Sequence, residues 1–172
     1  DPKAGMLRLV AGLGTRAVNR VETDYPRTVA LDNPQYRPHA SIEEARRFSQ
    51  HDLDVLNIES NALETISFLE TAHQGLNIKL DLFGIKDLET TQRLRELGHH
   101  DREAWILTFD NLLTRSSLTG VMHRMLKKLE EMYDYPVETE FTVNFTQANA
   151  YKINLLQCRP VQTKGQAQRV KI

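Results

Sequence analysis

At Pro136 the hydrophobic period of this sequence changes. Before it, Leu118, Val121, Met122, Met125, Leu126, Leu129 and Met132 recur at i, i+3, i+4 and i+7, the stripe of one buried helix face. Lys127, Lys128, Glu130 and Glu131 cover the other side. After it, Val137, Thr139, Phe141, Val143 and Phe145 alternate with Glu138, Glu140, Thr142 and Asn144, the period of a half-buried strand. A second strand-like run, YKINLLQCRP at 151–160, returns after TQAN, which reads as a turn. The pattern predicts a helix over 118–133, with Ser117 as N-cap, followed by an antiparallel hairpin. Helix and hairpin segregated in this way point to an α+β chain with a mainly antiparallel sheet packed with helices.

The upstream sequence continues in that style. The runs at 6–11 and 27–32 read as buried strands, and 33–39, with its two prolines, as a loop. Ser41 and Glu44 stand in capping-box spacing and open a short helix. Residues 52–68 read as two strands around a turn near Ser60–Asn61, 78–83 as a further strand, 87–97 as a helix ended by Gly98, and 103–109 as a strand. The polar tail from Gln162 reads as frayed or as a linker.

Bulk properties narrow the class. The 172 residues carry a formal net charge of −1, so no global field favours nucleic acid or an anionic membrane. No apolar run is long enough to span a bilayer, and the N-terminus has no signal-peptide pattern. The single cysteine, Cys158, excludes an internal disulfide and fits a reducing, cytoplasmic setting. The chain enters its first apolar strand almost at once and lacks an initiator methionine, as a piece of a longer protein would.

The chemistry concentrates at the end of the hairpin. A turn centred near Gln147–Ala148 sets Glu138 roughly opposite Gln157, and a two-residue shift sets Glu140 there instead. Either register puts Glu138, Glu140, Gln157 and Arg159 on one face, whereas an odd shift separates them. Two carboxylates, an amide and a guanidinium together can bind magnesium through hard oxygens and a phosphoryl group through arginine. The plain alternative is a solvent-facing sheet with an ordinary cross-strand salt bridge. Cys158, between Gln157 and Arg159, belongs on the opposite face and reads as packing. The adjacent His99 and His100 follow a helix and read as a solvated loop, and His123 reads as structural.

A rival motif lies upstream. Gly12, Gly14 and Ala17 follow a strand in G-x-G-x-x-A spacing, and Asp32 ends the next apolar run, the dinucleotide fingerprint on paper. Pro26 leaves only a cramped crossover helix, and hairpins follow instead of further βαβ units.

PVETEFTVN and INLLQCRPVQ resemble the C-terminal end of the ATP-grasp nucleotide-binding domain of phosphoenolpyruvate synthase and pyruvate phosphate dikinase. That family has a helix, a Y-x-x-P-like turn, a strand bearing a metal-binding Glu, and a returning strand ending Q-x-R-P. VAGLGTRAV is similar to the glycine-containing turn earlier in the same domain. The resemblance implies that residues 1–161 form the C-terminal portion of such a domain and 162–172 a tail or linker. It implies that Glu140 and Gln157 ligate magnesium, that Arg159 contacts the ATP phosphates as the catalytic group, and that Gly12 and Gly14 line the nucleotide site. ATP and Mg are the expected cofactors. Expected partners are phosphohistidine and pyruvate-binding domains of a parent chain, so the isolated chain is expected not to turn over. Thr15 and Arg16 stand where better-known members often place an acid after GLG. A degenerate, non-catalytic lobe with a structural or regulatory role is the alternative.

Overall fold

The computed structural model describes residues 1–19, 21, 23–73, 79–146 and 150–162. The chain forms two compact units, Asp1–Gly120 and Val121–Ile172. Among the described residues the strands pair antiparallel in four two-stranded ladders, interspersed with short helices and one long one. This is an α+β lobe with mainly antiparallel pairing, as the sequence predicts.

In the first unit, β1 (Met6–Leu9) pairs with β2 (Arg27–Ala30). Leu7, Leu9 and Val29 point inward, and so does Arg27, the register partner of Leu9. Among the described residues between the strands, the helical element is α1 (Thr15–Val18), a single turn. The antiparallel pairing of β1 and β2 removes the dinucleotide reading, because a βαβ unit joins parallel strands by a right-handed crossover.

Helix α2 (Ile42–Arg47) starts as its capping pattern predicts: Ser41 Oγ accepts from Glu44 N–H at 3.2 Å, and the Glu44 carboxylate accepts from Ala40 N–H at 2.8 Å. β3 (Asp52–Asn57) and β4 (Ala62–Ser67) form the expected hairpin. Its turn holds Asn61 at φ 52°, and Asn57 Oδ1 accepts from the N–H groups of Glu59 and Ser60. α3 (Phe68–His73) follows directly.

The strand expected at 78–83 is not there. Ile78 lies outside the described residues, and Leu80–Phe83 forms a one-turn helix, α4. The strand β5 (Gly84–Asp87) begins one residue later and pairs with β6 (Ala104–Leu107). Tertiary contacts override the local alternation. Asn111, on α6 (Asp110–Arg115), donates to Asp81 O at 2.6 Å, and Phe83 O accepts from Thr108 and Phe109 N–H. Gly84 is needed at the junction, since a Cβ there would lie 2.7 Å from Ile106 O. α5 (Leu88–Glu96) is capped by Asp87 and ends before Gly98 at φ 90°, as expected.

Asp87 is the best-anchored carboxylate of this unit. It takes a bidentate pair from Arg46 at 2.7 and 3.0 Å and bonds from the N–H and hydroxyl of Thr90. Burial alone would raise its pKa, but these donors outweigh that and bring it from 3.8 to about 2.

Helix α7 (Leu118–Tyr133) has the predicted bounds. Leu118 and Met122 are fully buried, while Met132, counted on the buried stripe by its spacing, is 72% exposed in the last turn. Ser116 Oγ accepts from Leu118 N–H at 3.2 Å at its start. Asp134, at φ 50°, ends the helix with a left-handed residue, and Tyr135 N–H reaches back to Glu130 O at 3.3 Å. β7 (Val137–Phe145) and β8 (Tyr151–Pro160) then form the predicted hairpin, whose turn centre, 147–149, lies outside the described residues.

Candidate functional site on the β7–β8 hairpin

The two strands carry opposite kinds of residue on their faces. On one face the opposed pairs are Glu138 with Arg159, Glu140 with Gln157, Thr142 with Asn154, and Asn144 with Lys152. On the other they are Val137 with Pro160, Thr139 with Cys158, Phe141 with Leu155, Val143 with Ile153, and Phe145 with Tyr151. The polar face is a continuous row of cross-strand pairs, and Asn154 Nδ2 donates to Thr142 Oγ1 at 3.2 Å within it. Cys158 is half-buried on the apolar face, as expected of a packing thiol.

A register shift makes this sorting possible. Between Glu140 and Phe141 the partner on β8 jumps from Gln157 to Leu155, leaving Leu156 without an opposed residue. From Phe141 to Phe145 the pairing has the odd parity that, continued, would set Glu140 opposite Leu156 and Glu138 opposite Cys158. Arg159 would then turn to the apolar face. The one-residue bulge at Leu156 reverses the parity and returns Gln157 and Arg159 to the face of Glu138 and Glu140. Along β8 the half-buried positions are Tyr151, Ile153 and Asn154 before the bulge and Cys158 after it, while Leu155, on the apolar face beside the bulge, is 44% exposed.

All four candidate residues are exposed. Arg159 Nε donates to the carboxylate of Glu138 across the strands. The simpler expectation, a cross-strand salt bridge, is therefore met for that pair. With the side chains 54% and 47% exposed, such a pair is worth at most about 1 kcal/mol. An arriving anion can recruit the guanidinium at little cost. Glu140 and Gln157, directly opposed, offer a carboxylate and an amide oxygen. That donor set suits a hard cation such as magnesium, which takes one or two carboxylates and completes its shell with phosphate oxygens and water. Among the described residues no group of three or more His, Cys, Asp or Glu side chains is placed to hold a metal ion.

The glycine turn belongs to the first unit. Gly12 has φ 83°, and a Cβ on it would lie 2.7 Å from Asp54 O on β3, so backbone approach and handedness both require glycine. Leu13 N–H donates to that same carbonyl at 2.8 Å. Gly14 has open space around it and precedes α1. Thr15 and Arg16 explain the departure from an acidic residue: Thr15 Oγ1 and Arg16 Nε bind the two oxygens of Asp54 at 2.5 and 3.0 Å. Arg16 also pairs with buried Asp24. Burial opposes its charge, but the bonds to Asp24 and Asp54 outweigh that and raise its pKa. The Arg16–Asp54 link was not foreseen, since nothing local to GLGTRA announces a partner on a later hairpin.

The pyruvate phosphate dikinase AMP/ATP-binding domain family matches residues 1–172. The chain belongs to that family. Its module is an ATP-binding one, which makes ATP the ligand to place. No curated protein and no solved structure matches the chain. Among the described residues no helix is long and apolar enough to cross a membrane.

Proposed function

We propose that this chain forms the C-terminal portion, residues 1–161, of the ATP-grasp domain of a phosphotransferase of the phosphoenolpyruvate synthase and pyruvate phosphate dikinase type, with 162–172 as a linker. The observation that carries the reading is the bulged hairpin. It turns a carboxylate, an amide and a guanidinium to one exposed face in a chain of an ATP-binding family.

In this reading Glu140 and Gln157 hold magnesium, and Arg159 leaves Glu138 for an ATP phosphate. Magnesium, when bound, neutralises charge on the phosphate oxygens. Arg159 stays protonated and offers planar donors to the phosphoryl oxygens, where negative charge must be held during transfer. Glu138 parks Arg159 in the empty state and keeps it extended along the face. In the first unit Gly14 has open space above its backbone, while Gly12 fixes the turn against β3. The phosphoryl group passes to a histidine on a separate domain of a parent protein, and then to pyruvate or a related acceptor.

The experiment is calorimetric titration of the full-length protein with ATP, with and without magnesium. Magnesium-dependent binding that falls at least about tenfold in Arg159→Ala and in Glu140→Gln supports the reading. The pairing of Arg159 with Glu138 favours a second reading, a lobe that keeps the fold without the activity. A folded full-length protein that binds no nucleotide establishes that second reading.

A further inference from the structure

A different feature of the first unit has no role in that reading. β2 begins with an arginine on its inward face: Arg27 is opposite Leu9 and its side chain is only 6% exposed. Its Nη2 donates to Tyr36 O at 2.9 Å and to Asp110 Oδ1 at 3.2 Å. Its Nε and Nη1 are buried and have no hydrogen-bond partner among the described residues. A buried guanidinium with three unused N–H donors is costly unless something accepts from them.

Arg27 lines a cavity of about 430 Å³, a size suited to a small molecule. The same cavity is lined by Arg37, which pairs with Asp110 Oδ2 at 3.2 Å. Two guanidiniums thus share one carboxylate. Burial, and the cation Arg37, pull the Arg27 pKa below its ordinary value, with Asp110 opposing them. His39, also in the lining, is pushed down by burial and by Arg27, which favours its neutral form. Glu44, outside the lining, keeps its charge near His39 while accepting from Ala40 N–H. Within the lining itself two guanidiniums stand against the one carboxylate of Asp110. The lining also holds apolar groups: Tyr25 and Phe48, which meet edge to face at 5.5 Å, Ile85 and Leu107, with Phe48 itself stacked on His39.

We infer that this cavity binds a small molecule bearing an oxyanion on an apolar body, with the Arg27 and Arg37 guanidiniums holding the oxyanion and Tyr25, Ile85 and Leu107 beside the body. A carboxylate and a phosphate monoester share the required chemistry, since both present acceptor oxygens to a guanidinium. The site uses none of Glu140, Gln157 or Arg159, so it stands or falls independently of the proposed ATP phosphate site.

Titration of the full chain with phenyl phosphate and with benzoate tests this, inorganic phosphate serving as the bodiless control. The expected result is saturable binding of at least one aryl probe, about tenfold tighter than inorganic phosphate. Arg27→Met should weaken it about tenfold or more, the exposed Arg37→Ala severalfold, and Arg159→Ala not at all. Should Arg27→Met fail to fold, the Nε–H resonance of Arg27 in the unaltered protein gives the direct reading, and it must move on saturation. Absence of saturable binding for both aryl probes overturns the inference. So do binding unchanged in a folded Arg27→Met variant, an Arg27 Nε–H signal unmoved at saturation, or loss of binding in Arg159→Ala.

Discussion

Deleting Leu156 separates the bulge from the residues it sorts. Glu140 and Phe141 are adjacent on β7, while their partners Gln157 and Leu155 are separated only by Leu156. Its removal joins the two halves of the ladder into a regular one, with every opposed pair and both faces kept. Leu156 is 63% exposed, so its loss removes less than about 1 kcal/mol of burial, and a regained ladder hydrogen bond offsets a similar amount. The expected change in stability is within about 1 kcal/mol. Inserting one threonine after Glu140 also gives Leu156 a partner, with the opposite result. It moves Phe141, Val143 and Phe145 off the face that holds Val137 and Thr139, at about 1 kcal/mol for each half-buried apolar side chain. Urea denaturation reads both effects, and cross-strand Hα contacts read the pairing. Loss of more than about 2 kcal/mol on deleting Leu156, or an insertion as stable as the parent, would refute the parity argument. Glu138 no longer opposite Arg159 in the deletion variant would refute it too.

Other expectations follow from the first unit and from the bulge. Asp87 has a folded pKa of about 2 against an ordinary 3.8, so its stabilisation is fully present above about pH 4 and is lost as pH falls toward 2. Asp87→Asn should cost about 2 kcal/mol at neutral pH and flatten the acid limb between those values, read by urea midpoints against pH. Gly12→Ala should destabilise by at least about 1 kcal/mol, whereas Gly14→Ala should be nearly neutral in stability, both read by thermal melts. The Leu156 deletion, folded but less twisted at Gln157, should weaken magnesium–ATP binding by the full-length protein several-fold in calorimetry.

Much of the fold was legible because its signals were local. The period-2 run after Pro136, the stripe of α7, the Ser41–Glu44 cap and the Asn61 turn each depend on neighbours in sequence. α4 was missed because Asn111 and the backbone after β6 hold Leu80–Phe83 in a turn, and no local pattern carries that contact. Met132 was misplaced because periodicity marks a helix face without showing where its cover ends. The bulge did leave a trace. Tyr151, Ile153 and Leu155 are apolar at odd positions, yet Gln157 and Arg159, also odd, must join a polar face. Two leucines in succession mark where the parity has to break. The inward-facing Arg27 left no such trace, since a strand that opens with arginine ordinarily shows it to solvent.

The central claim is that Glu140, Gln157 and Arg159 meet the phosphates of metal-bound ATP. Manganese in place of magnesium, added with ATP to the full-length protein, relaxes nearby nuclei and reports their distance directly. The account predicts broadening of the Gln157 side-chain amide and the Glu140 and Arg159 backbone signals only when ATP and manganese are both present. Bound ATP and manganese that leave all three signals sharp would contradict it.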